Sequence, residues 1–173
     1  MTTIDRWNQS ADAFSSRVDA IADSQWSGST PCAEWTVQEL VDHVGGTHVF
    51  FGSFLGLPDS VSGWPEVRRA MSVLLATPDA LTGTVEIPGL GEMPKESVVD
   101  ICTNDMLIHT WDLSRAIGAD ETLPGDLVAS CHSWLEALPA EVIRAPGRYG
   151  DPQPVGSDAD AQAKLLAFAG RNP

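Results

Sequence analysis

The chain is poor in cysteine, poor in basic residues and free of long apolar runs, and each shortage excludes something. Three cysteines, Cys32, Cys102 and Cys131, are widely spaced and odd in number. They make no disulfide framework and fit a reducing cytoplasm. Only 10 Lys and Arg stand against 24 Asp and Glu, for a formal net charge of −14. A surface that acidic repels phosphate backbones and anionic headgroups, so neither nucleic acid nor membrane is an expected partner. No apolar stretch approaches the roughly eighteen residues of a spanning helix. The longest, around His48 to Leu57, is broken by Gly52 and Gly56 and followed by Pro58. The opening residues lack a basic segment leading into an apolar one, so no signal peptide is expected. The hydrophobic fraction is nevertheless 43% of 173 residues, enough for a packed core.

Apolar spacing supplies the elements. Trp7, Ala11, Phe14, Val18 and Ile21 recur by threes and fours, which predicts a helix from Thr3 to Ala22. A Ser-, Gly- and Pro-rich loop follows, from Ser24 to Trp35. Thr36 with Glu39 matches a capping box and opens a helix running to about Leu55. A third helix is expected from Pro65 to Leu75, with proline at its first position. Two short runs around Pro88-Gly89 suggest a β-hairpin between Gly83 and Met93. Pro94 begins a long helix to Ile117, ended by Gly118, and another runs from Asp126 to Leu138, stopped by Pro139. The Pro- and Gly-rich stretch from Ala145 to Ser157 reads as extended, and a short helix from Asp158 to Phe168 closes the chain. Antiparallel helix packing is the expected architecture. It comprises a helical bundle over residues 1–144 and a C-terminal tail over 145–173 whose short helix packs on it.

A possible metal site follows from spacing. Asp105 and His109, four apart on one helix, project from the same face. A third ligand must come from another helix, and His43 sits mid-helix in the second. His48 points elsewhere, about 140° around that helix. His43, Asp105 and His109 are therefore the candidate ligands of a divalent metal, with zinc the best guess. Three protein ligands leave one position open, as in catalytic zinc sites. Asp112, three residues past His109, can orient the imidazole. The competing reading is a plain ion pair between Asp105 and His109. Gly45 and Gly46 cost stability in a helix interior, which suggests close helix approach or room for a ligand. Cys102 shares a face with Asp105 and His109 and is either a small core residue or a fourth ligand. Cys32, Cys131, His48, His132, Arg68, Arg69 and Arg115 read as ordinary structural residues. Trp35 and Trp111 flank the motifs as core or pocket wall.

Two stretches carry a family likeness. Thr30-Pro31-Cys32-Ala33-Glu34-Trp35-Thr36-Val37, with Leu40-Val41-Asp42-His43-Val44-Gly45-Gly46, resembles the opening motif of the mycothiol-dependent maleylpyruvate isomerase N-terminal domain family. Asp105-Met106-Leu107-Ile108-His109-Thr110-Trp111-Asp112-Leu113 resembles its second motif. The closing residues Asp158 to Pro173 resemble the end of a short single-domain subgroup, so the likeness spans nearly the whole chain. It implies an all-α, DinB-like antiparallel four-helix bundle. It implies a divalent metal, typically zinc, held through positions that map to His43, Asp105 and His109. It also implies a metal-dependent thiol S-transferase or isomerase-like enzyme using a low-molecular-weight thiol such as mycothiol, with a small electrophile as the other partner. The alternative is a non-catalytic metal-binding or small-ligand module. Many relatives carry Glu where this chain has Asp105, which shortens the reach to a metal by one methylene. The full isomerase has an additional C-terminal domain contributing to its active site, so maleylpyruvate isomerisation itself is not the expected activity. The residues leave open the electrophile, the thiol, and monomer against homodimer.

Overall fold

The computed structural model of the protein describes residues 1–145 and 147–173, which form seven helices and one two-stranded sheet. The helices α1 (Thr3–Val18), α2 (Val37–Ser53), α3 (Trp64–Leu75) and α4 (Lys95–Ile117) belong to an N-terminal unit, Met1–Glu121. So does the hairpin of β1 (Thr84–Ile87) and β2 (Gly91–Pro94). Helices α5 (Gly125–Glu136), α6 (Ala140–Ile143) and α7 (Ala161–Phe168) belong to a C-terminal unit, Thr122–Pro173. By contacts the chain thus divides after Glu121. The physical reason is that α5 packs against α7.

Local chemistry accounts for the helix ends. Thr2 and Asp5 form a capping box at α1, and Thr36 and Glu39 form one at α2. Helix α1 stops at Val18, short of the expected Ala22. Asp19 follows at the negative end of the helix dipole, and the Ala22 amide donates instead to the Gln25 side chain at 3.0 Å. Pro94 caps α4 from outside as its last non-helical residue. The hairpin pairs Thr84 with Pro94 through Ile87 with Gly91. Its Pro88-Gly89 turn closes with the Leu90 amide donating to the Ile87 carbonyl at 2.9 Å, and Gly89 supplies the φ of 80°.

In the N-terminal unit α1 packs on α4 and α3, and α2 packs on α4 and α3. Trp7, Ala11 and Phe14 of α1 meet Leu40, Val41 and Val44 of α2, Trp64, Val67 and Met71 of α3, and Val99, Met106 and Leu113 of α4 in one apolar core. Hydrogen bonds tie Arg6 to Asp100 (2.7 Å), Ser10 to the Thr103 carbonyl (3.3 Å) and Arg17 to Ser114 (3.2 Å). Both numbers of each pair rise together, so α1 and α4 run in the same direction. This corrects the expectation of antiparallel neighbours throughout. Short loops force antiparallel pairs only between helices consecutive in sequence, and α1 and α4 are not.

In the C-terminal unit the segment after α6 lies along α7. The Gln153 amide donates to the Ala167 carbonyl at 2.9 Å, and Arg144 reaches the Phe168 carbonyl at 2.8 Å. Gly150 and Gly170 cross closely. A Cβ on Gly170, whose φ is 85°, would lie 2.8 Å from Gly150 Cα. No helix among the described residues is long and apolar enough to cross a membrane.

Candidate metal centre

Helices α2 and α4 bring together the three residues that spacing singled out. His43 Nε2 lies 3.5 Å from both carboxylate oxygens of Asp105, and His109 Nε2 lies 3.5 Å from Asp105 Oδ1. The imidazoles of His43 and His109 meet edge to face, with centroids 5.0 Å apart. These distances are long for charged hydrogen bonds, which run at about 2.7–2.9 Å. They are close to the edge of a tetrahedron whose corners stand about 2.0–2.1 Å from a central zinc, roughly 3.3–3.4 Å. Asp105 Oδ2 is buried and accepts no hydrogen bond. A buried carboxylate oxygen left without a donor is costly unless a cation meets it. One donor atom from each of the three side chains lies within 4.8 Å of the other two. The set of two imidazoles and one carboxylate suits zinc and its first-row neighbours. The shorter Asp side chain still reaches both histidines.

Charge and burial shape the cluster. Burial alone would raise the Asp105 carboxyl. The charge of His109 and hydrogen bonds from His109 and His43 outweigh it and hold the carboxyl well below the ordinary range. Burial alone would lower His109, but Asp105, with help from Asp112 and Cys32, lifts it well above 6.5. The same carboxylates favour a proton on the His109 nitrogen that faces the cluster. A metal would displace that proton, because ligating imidazole must be neutral.

On its other edge His109 Nδ1 donates to Asp112 Oδ2 at 2.9 Å, and Asp112 is fully buried. A histidine backed in this way by a carboxylate has its tautomer and ring orientation set. Trp35 forms a wall, its ring centroid 4.4 Å from that of His43 and 5.6 Å from that of His109. Thr47, one turn along α2, places its hydroxyl 3.4 Å from His43 Nε2. The side chain of His43 is 32% exposed and that of His109 only 7%, so the cluster opens to solvent on the α2 side.

Other candidates fall out as structural. Cys102 is buried, its thiol pushed up by burial and by Asp105, and among the described residues it is in neither potential metal group. Gly46 has open space where a Cβ would go, and Gly45 would make only an ordinary contact with Trp64. The tight glycine of α2 is Gly52, where a Cβ would fall 2.8 Å from Leu57. Arg68 pairs with Asp12 and Arg115 with Glu121, while Arg69 approaches Glu66. Arg115 also covers the ring of buried Trp111. His132 sits beside Phe168 in the C-terminal unit. Sequence reasoning undervalued Cys32. Its Sγ lies 3.4 Å from Asp112 Oδ2 and 3.9 Å from His109 Nδ1, and the three residues form a second group able to hold an ion.

The fold and the cluster define a mostly helical protein with a histidine–carboxylate centre between two helices. The sequence model of the mycothiol maleylpyruvate isomerase N-terminal domain matches residues 7–74, a span holding Cys32, Trp35 and His43. Two uncharacterized proteins of Mycobacterium tuberculosis, from strains CDC 1551 and H37Rv, are each 30% identical over 169 residues, covering 92% of this chain and 92% of theirs. The chain belongs to the mycothiol maleylpyruvate isomerase N-terminal domain family. No solved structure matches it.

Proposed function

We propose that this chain is a metal-dependent thiol S-transferase of the DinB-like class, with α1 to α4 as its four-helix bundle. His43, Asp105 and His109 would hold the metal, most simply zinc. The observation that carries the reading is that His43 Nε2 and His109 Nε2 each stand 3.5 Å from the Asp105 carboxylate, whose buried Oδ2 has no hydrogen-bond donor.

A low-molecular-weight thiol such as mycothiol is the proposed cosubstrate. A free thiol of pKa about 8.5 is only about 3% thiolate at pH 7. A zinc ion held by His43, Asp105 and His109 would favour the thiolate form of such a thiol. Full ionisation is worth about thirtyfold in nucleophile concentration, roughly 2 kcal/mol. Orientation beside the electrophile must contribute the rest. The chain's own residues provide that setting. Asp112 locks the His109 ring, Trp35 covers one side of the cluster, and the Thr47 hydroxyl stands where an incoming polar group can meet it. In the net reaction the S–H bond breaks and sulfur bonds to an electrophilic carbon; either the acceptor's π bond opens and takes up the proton, or the bond to a leaving group breaks and that group departs with the proton. Such a thiol is kept reduced in the cytoplasm, where this reading places the protein.

A purely structural metal would want a fourth protein ligand. Cys102 was the candidate, and it is absent from the cluster. The test is elemental analysis of the purified protein, followed by titration of the apo-protein with zinc and then with thiol. The expected result is one zinc per chain and a further heat on thiol addition. Zinc uptake with no thiol response would leave a binding module. No metal uptake at all would overturn the reading.

A further inference from the structure

The imidazole of His109 is held on one side by Asp112, and Asp112 is in turn held by a residue from a distant loop. Cys32 precedes α2, and its thiol lies 3.4 Å from Asp112 Oδ2, the same oxygen that accepts from His109 Nδ1. The carboxylate can only accept, so the S–H donates. The contact from Sγ to Nδ1 is longer, 3.9 Å.

The loop that carries Cys32 is built to hold it there. The Cys32 amide donates to Thr30 Oγ1 at 3.1 Å, and the Thr30 hydroxyl donates to the Trp35 carbonyl at 2.9 Å. The Trp35 amide closes a turn on the Cys32 carbonyl at 2.8 Å. Ser29 bridges to Thr36, and the Val37 and Gln38 amides reach back to the Gly28 and Trp26 carbonyls at 2.9 and 3.0 Å. One anchored loop thus aims the thiol at Asp112 and the Trp35 ring at both histidines.

We propose that Cys32 is a positioning residue of the metal centre: its thiol fixes the Asp112 carboxylate, which fixes the His109 ring. This rests on the metal reading above and extends it to a residue that touches neither metal nor substrate. Partners of a ligating histidine typically contribute 10- to 100-fold in metal affinity when removed. Cys32 stands one bond further out and donates through a weak S–H, so the lower end of that range is expected.

The test compares zinc affinity of the wild type, Cys32→Ala and Cys32→Ser by chelator competition, with cobalt spectra of all three. Cys32→Ala should weaken zinc binding about tenfold. Cys32→Ser keeps a hydroxyl donor and should stay within about threefold of wild type, a rescue that a mere space-filling role would not produce. The cobalt form of the wild type should show no thiolate-to-metal charge-transfer band. Equal affinity of Cys32→Ala and wild type would overturn the proposal, as would a serine variant as weak as the alanine one. A charge-transfer band lost in Cys32→Ser would overturn it in favour of direct ligation, using the group Cys32, His109 and Asp112. Failure of the wild type to bind zinc or cobalt would instead sink the metal reading, and the role of Cys32 with it.

Discussion

Two regions of the N-terminal unit each bury a histidine, and the two histidines behave in opposite ways. His48 on α2 is wholly buried between aromatic rings, with Trp64 at 5.4 Å and Trp7 at 6.3 Å between centroids. Its Nδ1 donates to the Val44 carbonyl at 2.8 Å, and its Nε2 has no hydrogen-bond partner. Burial dominates there and pushes its pKa down. His109 on α4 is nearly as buried, yet its pKa goes up, because Asp105 and Asp112 flank it. Burial alone therefore does not make a centre. Carboxylates on both edges of one ring make the difference, favouring the charged imidazole in a partly open cluster in one place and the neutral one in a sealed core in the other.

That contrast can be broken experimentally. The largest effect should come from Asp112→Ala, which strips a buried charge partner from His109. A loss of roughly 3–5 kcal/mol in unfolding free energy is expected, measured by urea denaturation of the apo-protein. A loss below about 1 kcal/mol would show that the buried pair carries no such weight. Next, His43→Ala or His109→Ala should each weaken zinc binding by more than about 100-fold, above the range for outer residues. His48→Gln should leave zinc affinity within about threefold. If His48→Gln removed binding, the two regions would not be distinct.

The pH dependence sharpens the comparison further. The His109 pKa is raised above 6.5, so its contribution to stability is full below 6.5 and fades as pH rises through the folded value. The His48 pKa is lowered, so its contribution is full above 6.5 and fades as pH falls from 6.5 toward the folded value. His48 thus weakens the apo-protein on the acid side and His109 on the alkaline side. His48→Gln should flatten the acid limb and leave the alkaline one. Zinc affinity should rise with pH well beyond 6.5, because the metal must displace the His109 proton. Chemical denaturation and zinc titration over a pH series check both. The smallest effect separates two glycines of α2. Gly46→Ala should stabilise by about 1 kcal/mol, since nothing occupies the space. Gly52→Ala should destabilise by roughly 1–3 kcal/mol against Leu57 and Met71.

Much of this was legible in the chain because it is local. The box of Thr36 and Glu39, the Pro88-Gly89 turn and the stop at Gly118 are patterns within a few residues. The spacing from Asp105 to His109 and on to Asp112 put three side chains along one side of α4 without any knowledge of packing. His43 was reachable because it shares a helix with an apolar face that had to point inward. Cys32 was not legible, since it meets His109 across 77 residues of sequence and sits in a loop with no period. The parallel run of α1 and α4, and the association of α5 with α7, escaped for the same reason.

The order of residues by itself determined the helices, their caps and which side chains of α4 stand in line, because these follow from steric and hydrogen-bonding rules acting over a turn or two. Only the tertiary structure decided that His43 comes within 3.5 Å of Asp105, that Cys32 backs Asp112, and that the pKa of His48 is pushed down while that of His109 is lifted. Distances between segments far apart in the chain, and the burial that sets the strength of each charge, exist only once the helices have packed.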